Sequence, residues 1–136
     1  MGHTMITTDR VTYAQYKDWP EEERYELING IAIPFFAPYR LHHDISRALF
    51  MRITNYSVGK KFHVYTNPFD VRLFEAGAKE EEIENVVQPD ISIFLDESNL
   101  DDRGAIGPPD WLIEITSEIT FENVITGRRF CISNLK

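Results

Sequence analysis

A single cysteine, Cys131, excludes an internal disulfide and is compatible with a reducing compartment, so a cytoplasmic location is expected. Without a His–Cys pattern around it, Cys131 reads as an ordinary core thiol. No apolar run approaches the roughly 20 residues of a bilayer-spanning helix, so no membrane partner is expected. The opening "MGHTMITTDR" is polar and carries no signal-peptide pattern. Basic residues are scarce: 14 Lys and Arg stand against 22 Asp and Glu, for a net charge of −8. A protein that binds by neutralising many phosphates is usually basic. Any nucleic-acid role here must therefore run through a local site, a cation or a groove between subunits. Also lacking are a P-loop, a GxGxxG turn, a Ser/His/Asp signature and zinc-ligand spacing. There are no internal repeats and no low-complexity segments.

What is present is a globular composition, 43% hydrophobic and 12% aromatic, over 136 residues: one domain with one core. "TYAQYKD" predicts a short helix over Thr12 to Asp18, with Thr12 as N-cap and Pro20 as the stop. Asn29-Gly30 between two apolar runs predicts a hairpin, because both residues tolerate positive φ. Its strands are expected at Arg24–Ile28 and Ile31–Phe36. In "LHHDISRALFMRITNYSVG", Leu41, Ile45, Ala48, Leu49, Arg52, Ile53 and Tyr56 recur at helical spacing, which predicts an amphipathic helix closed by Gly59. "FHVYT", "PFDVRLF", Val86 to Leu95 and Trp111 to Thr116 read as strands. The acidic run "EAGAKEEEIEN" reads as a solvated loop or short helix, and "DESNLDDRGAIGPP" as a long polar connection. The tail after Ser117 offers at most short strands, Val124–Thr126 or Phe130–Ser133. The class is α/β or α+β.

Three carboxylates stand where burial is expected: Glu26 in "RYELI", Asp90 in "QPDISIF" and Glu114 in "WLIEIT". A lone buried carboxylate is costly to desolvate unless it is paired, hydrogen-bonded or bound to a cation. Period two places Asp90 with Ser92 and Phe94, and Glu114 with Leu112 and Thr116. If the two strands are neighbours in register, Asp90 and Glu114 converge. Two carboxylates, a carbonyl and waters suit Mg²⁺ or Mn²⁺, which can acidify a bound water. Spacing alone leaves a plainer alternative: an Asp after Pro is often a turn or cap residue, and a Glu in a short apolar run often faces solvent on an edge strand. His42 shares a stripe with Ile45 and Leu49 and is expected to face inward, commonly as a packed or hydrogen-bonded residue. His43 lies off that stripe, and His63 and His3 have no partner pattern.

Taken together, "RYELINGIAI", "LHHDISRAL", "NPFDVRL", "VVQPDISIF" and "GPPDWLIEITS" resemble, in order and approximate spacing, the Uma-type restriction endonuclease family, a branch of the PD-(D/E)XK nucleases. The resemblance covers roughly Thr12 to Ser117. It implies a restriction-endonuclease-like mixed central sheet flanked by helices. It also implies a metal-dependent endonuclease (a hydrolase) in which Asp90 and Glu114 bind Mg²⁺ or Mn²⁺ for water attack on a DNA phosphodiester. Glu26 would be an auxiliary metal ligand, and His42 a polar group hydrogen-bonding a carboxylate or a phosphate. DNA is the implied substrate. A homodimer is expected on general grounds, because many nucleases cut two strands with two subunits.

The sequence departs from the family at one end. Where the superfamily motif has Lys two residues after the strand Glu, Thr116 stands here. The branch's substitute Lys, on a following helix, is not found either: beyond Glu114 the one Lys is Lys136. The expected division is therefore a leader at 1–11, whose first four residues read equally well as an added remnant before Met5, then a restriction-endonuclease-like domain at 12–117 and a divergent tail at 118–136. The tail pattern would fit a frameshift, with the exposed sheet edge covered by the tail or by another chain. Three readings stay open: an active nuclease, a catalytically incomplete relative that only binds or assembles, and a scaffold whose carboxylates are merely solvated.

Overall fold

The computed structural model describes residues 9–35 and 37–115. Tyr13–Tyr16 forms α1, and the Oε1 of Gln15 accepts the Thr12 N–H at 3.0 Å, so the start falls at Thr12 as expected. The hairpin follows, with β1 at Tyr25–Ile28 and β2 at Ile31–Pro34. Asn29 and Gly30 have φ of 51° and 76°, the left-handed pair that matches a two-residue turn to the strand twist. The turn is held from both sides: Gly30 N–H donates to Glu84 O and Val11 N–H to Gly30 O, each at 2.8 Å.

Beyond the helix α2 (Arg40–Ser57) come β3 (His63–Thr66) and β4 (Val71–Arg72). Next are β5 (Val86–Val87) and β6 (Ile91–Phe94). The acidic run contains only a single 3-10 turn, Glu80–Glu82. The segment read as a long polar connection carries a 3-10 turn, Glu97–Asn99, and a small hairpin, β7 (Leu100–Asp101) with β8 (Gly104–Ile106). These strands are two or three residues long, too short for a periodicity to show. Trp111–Ile113 is β9.

The described strands form two sheets, ordered β2-β1-β5-β4-β8-β7 and β3-β6-β9. All neighbours are antiparallel except β4 and β8. The class is thus mixed α+β, as expected, but the single strand expected over Val86 to Leu95 is two. Val86–Val87 pairs with β1 and β4, and Ile91–Phe94 with β3 and β9. Pro89 has no N–H to give a ladder, so the chain leaves one sheet before it and joins the other after it. Asp90 therefore sits at the seam between the sheets. In "PFDVRLF" only Val71 and Arg72 are in a ladder.

Val86 and Val87 point to opposite faces of the six-stranded sheet and belong to different apolar clusters. One holds Val11, Tyr13, Leu27, Ile83 and Val86; the other holds Val71, Val87, Phe94 and Ala105. Complete burial of Leu27, Val71 and Val86 contributes about 1.5–3 kcal/mol each. Phe94 brings the three-stranded sheet onto the second cluster, and α2 packs on β3.

The helix α2 ends before Gly59, whose φ is +75°, as its sequence suggests. Its inward face differs from the expected stripe. His42 is buried, and Ser46, Leu49, Phe50 and Ile53 are half-buried. Leu41, Ile45, Ala48, Arg52 and Tyr56 are exposed. Contact with a narrow three-stranded sheet covers a narrower arc than the apolar stripe offers, and the polar anchor His42 sets the rotation. Thr116, Cys131, His3 and the strands considered for the tail lie outside the described residues.

Candidate active site

The seam places four of the sequence-selected groups in one region. Ile91 pairs with Ile113 and Ser92 with Leu112, so the antiparallel register carried one step further sets Asp90 opposite Glu114. The condition for their convergence, adjacent strands in register, is met. The ladder end is closed by a side chain: the backbone N–H of Ile115 donates to Asp90 Oδ2 at 2.7 Å. His42, from α2, meets the same oxygen through Nε2 at 3.1 Å. Asp90 is 5% and His42 8% exposed, so both are withdrawn from water. Glu114 is half-buried. His43 is exposed, as expected, and its ring packs edge-on against His42 at 6.0 Å between centroids.

The hydrogen bonding fixes a tautomer. With Asp90 ionised, Oδ2 can only accept, so His42 Nε2 carries the proton. Nδ1 is buried and has no hydrogen-bond partner among the described residues. His42 thus acts on Asp90 as a hydrogen-bond donor that holds the carboxylate. Both bonds fall on Oδ2, and no described residue donates to Oδ1. Ser92, next on the same face, is buried, and its Oγ too has no partner among the described residues.

Glu26 enters from β1, 4% exposed, and its Oε1 accepts the backbone N–H of Gln88 at 2.8 Å. It is therefore tied to the chain two residues before Asp90. All three carboxylates offer hard oxygen atoms, the donor type Mg²⁺ and Mn²⁺ prefer and the wrong type for a thiolate-imidazole zinc site. Among the described residues, no three His, Cys, Asp or Glu side chains close into a metal cage. The donor chemistry thus fits a divalent cation in an open site completed by water, with Asp90 and Glu114 as the facing pair.

Sequence reasoning missed a polar network on the other side of Gln88. The Gln88 amide nitrogen donates to Asp70 Oδ1 at 2.8 Å and to Tyr16 OH at 3.3 Å. Tyr16 OH lies 3.2 Å from Asp70 Oδ1 and 3.0 Å from the carbonyl oxygen of Tyr25. Arg24 donates to Gln88 Oε1 at 2.7 Å and to Asn67 Oδ1. Burial pushes the Asp70 carboxyl above its ordinary value, only partly offset by the bonds from Gln88 and Tyr16 and by the charges of Arg72 and Arg24. Burial and the Asp70 charge likewise push the Tyr16 phenol up. Asp70 read only as part of a strand; its place just before the two-residue β4 and its distant partners Tyr16 and Gln88 were not visible in "PFDVRLF". Arg72, in the same segment, is 5% exposed, donating to Ala105 O at 3.0 Å and to Asp101 at 2.5 Å.

The fold is similar to that of the crystal structure described as "a putative nuclease belonging to DUF820 from Anabaena variabilis ATCC 29413", with a TM-score of 0.60. At 22% identity the likeness is one of fold; it covers 85% of this chain and 66% of that one, so the chain spans just under two thirds of that protein's length. Residues 13–124 match the Uma2 family, described as "Putative restriction endonuclease", and the chain belongs to that family. The match runs past Ser117, where the resemblance read from motifs ends. A comparison with curated proteins finds no match. No helix among the described residues is long and apolar enough to cross a membrane.

Proposed function

We propose that the chain is a metal-dependent DNA endonuclease centred on Asp90 and Glu114. The observation that carries this reading is the buried Asp90, fixed through Oδ2 by His42 and Ile115 and set by register opposite Glu114. A carboxylate held this rigidly, with its second oxygen unused by described residues, is oriented in advance for a ligand. In this reading Asp90 and Glu114 hold Mg²⁺ or Mn²⁺, Glu26 assists from the Gln88 side, and His42 positions Asp90. When bound, the cation supplies Lewis acidity, lowering the pKa of a coordinated water and offsetting phosphate charge. The protein's own contribution is orientation and desolvation: His42 prevents Asp90 from rotating, and the Gln88 N–H holds Glu26 beside the seam. With a net charge of −8, DNA affinity rests on the cation and on local contacts, and a homodimer would present two such centres to a duplex.

Two observations favour a second reading, a relative that binds or assembles without cutting. Thr116 stands in the place of the motif Lys, and no closed cage exists among the described residues. Incubation with plasmid DNA and Mg²⁺ or Mn²⁺, beside Asp90→Ala, decides between them. Metal-dependent nicking that disappears in the variant is the expected result; no cleavage with either metal sinks the enzymatic reading. Calorimetric binding of Mn²⁺ that is lost in Glu114→Ala would then still support the binding reading.

A further inference from the structure

A cleft of about 890 Å³ opens on the far side of Gln88 from Glu26 and Asp90. Its walls are aromatic. Tyr65 and Phe69 stack in parallel, with ring centroids 4.1 Å apart and 4° between planes. From α1 and its exit, Tyr16 and Trp19 pack at 5.6 Å. Its polar floor is the network of Asp70, Gln88, Tyr16 and Arg24. Both bonds to the Asp70 carboxylate end on Oδ1, and no described group donates to Oδ2. Asp70 is thus a half-buried acceptor short of protein donors, and its burial raises its pKa.

We propose that this cleft is a nucleobase site, taking a flat, neutral heterocycle whose exocyclic amino group donates to Asp70. The aromatic lining favours a planar ring, which gains about 1–3 kcal/mol where it stacks on one of these side chains. The unfilled acceptor selects N–H donors. The lining carries both signs, with Lys17, Arg24 and Arg103 beside Glu21, Glu23, Asp101 and Asp102, so no field of one sign dominates it. The volume lies within the usual range for small-molecule sites. Gln88 joins the cleft to the carboxylate centre, its side chain on the floor and its N–H on Glu26, two residues from Asp90. A base held here would lie beside the centre, either as a free nucleoside or as an unstacked base of a bound strand. Only the second source rests on the nuclease reading.

The test uses the full chain without metal and a Trp111→Phe background, so that Trp19 fluorescence reports the cleft. Guanosine, adenosine and cytidine are expected to bind at about millimolar or better, and thymidine, without an exocyclic amino group, about tenfold more weakly. Asp70→Asn should abolish that preference, and Leu100→Phe, which fills the cleft from its wall, should weaken every nucleoside about tenfold or more. A single-stranded oligonucleotide with one normal base among abasic positions, compared with the fully abasic strand, identifies the source. Tighter binding of the first assigns the strand; nucleoside binding without that difference assigns the free nucleoside. No binding of any nucleoside up to about 10 mM, or binding unchanged in both variants, overturns the proposal. Because this readout needs neither metal nor cleavage, it can fail while plasmid nicking succeeds, or the reverse.

Discussion

Truncation of His42 to Ala tests the geometry of the seam most directly. The imidazole is 8% exposed and donates at 3.1 Å to a carboxylate that is itself 5% exposed. A hydrogen bond to a buried charged group is worth about 1.5–3 kcal/mol. Removing one partner also leaves the other inadequately solvated, which places such truncations at about 3–5 kcal/mol. Asp90 keeps the Ile115 N–H at 2.7 Å, so the lower part of that range applies, about 3 kcal/mol. For a chain of 136 residues this corresponds to a fall of roughly 10 °C in Tm. Asp90→Asn should behave differently: the amide oxygen can still accept both N–H groups, so stability falls by only about 1 kcal/mol. Its amide nitrogen, however, replaces the oxygen left for a cation, so metal-dependent cleavage should vanish. The double variant should show a coupling of about 2 kcal/mol. Urea titrations followed by circular dichroism measure all three. A cost below about 0.5 kcal/mol for His42→Ala, or no coupling with Asp90→Asn, would refute the buried bond and with it the positioning role of His42.

Two further predictions follow from the same contacts. Asp70 has a folded pKa raised by burial above the ordinary 3.8, so the folded state holds its proton more tightly than the unfolded chain does. The stability it contributes is present below pH 3.8 and is lost as pH rises through the higher folded value. Asp70→Asn should therefore raise Tm at neutral pH and flatten the difference on the acid side, in thermal melts from pH 3 to about 8; a Tm at neutral pH that falls instead would contradict the desolvated carboxylate. At Gly104, with φ +134°, a Cβ would come within 2.3 Å of the Asp70 carbonyl oxygen, and backbone cannot yield as a flexible side chain can. Gly104→Ala should cost about 3 kcal/mol or more, with the β4–β8 pairing the first to lose amide-exchange protection.

Local chemistry made much of this legible in the sequence. Asn29-Gly30 determined a hairpin because two left-handed residues in a row leave the chain little else to do. Thr12 marked the start of a helix and Gly59 the end of another for similar reasons. Glu26, Asp90 and Glu114 stood out because a carboxylate in an apolar strand needs a partner, and His42 because its stripe turned it inward. What the sequence could not give was the partition of neighbours. Pro89 breaks a ladder, but only the pairing of β5 with β4 and β6 with β9 turns that break into a seam with Asp90 at it. The apolar stripe of α2 promised a buried face, yet a narrow sheet covers only part of it, leaving Leu41, Ile45 and Tyr56 exposed. The choice of Oδ2 by both His42 and Ile115, and the meeting of Asp70 with Tyr16, Gln88 and Arg24, bring together residues from 18 to 72 positions apart. Spacing along a chain fixes what a residue can do to its near neighbours. Contacts of that range are decided by packing, and here packing decided which carboxylate was held by His42 and Ile115 and which met Tyr16 and Gln88.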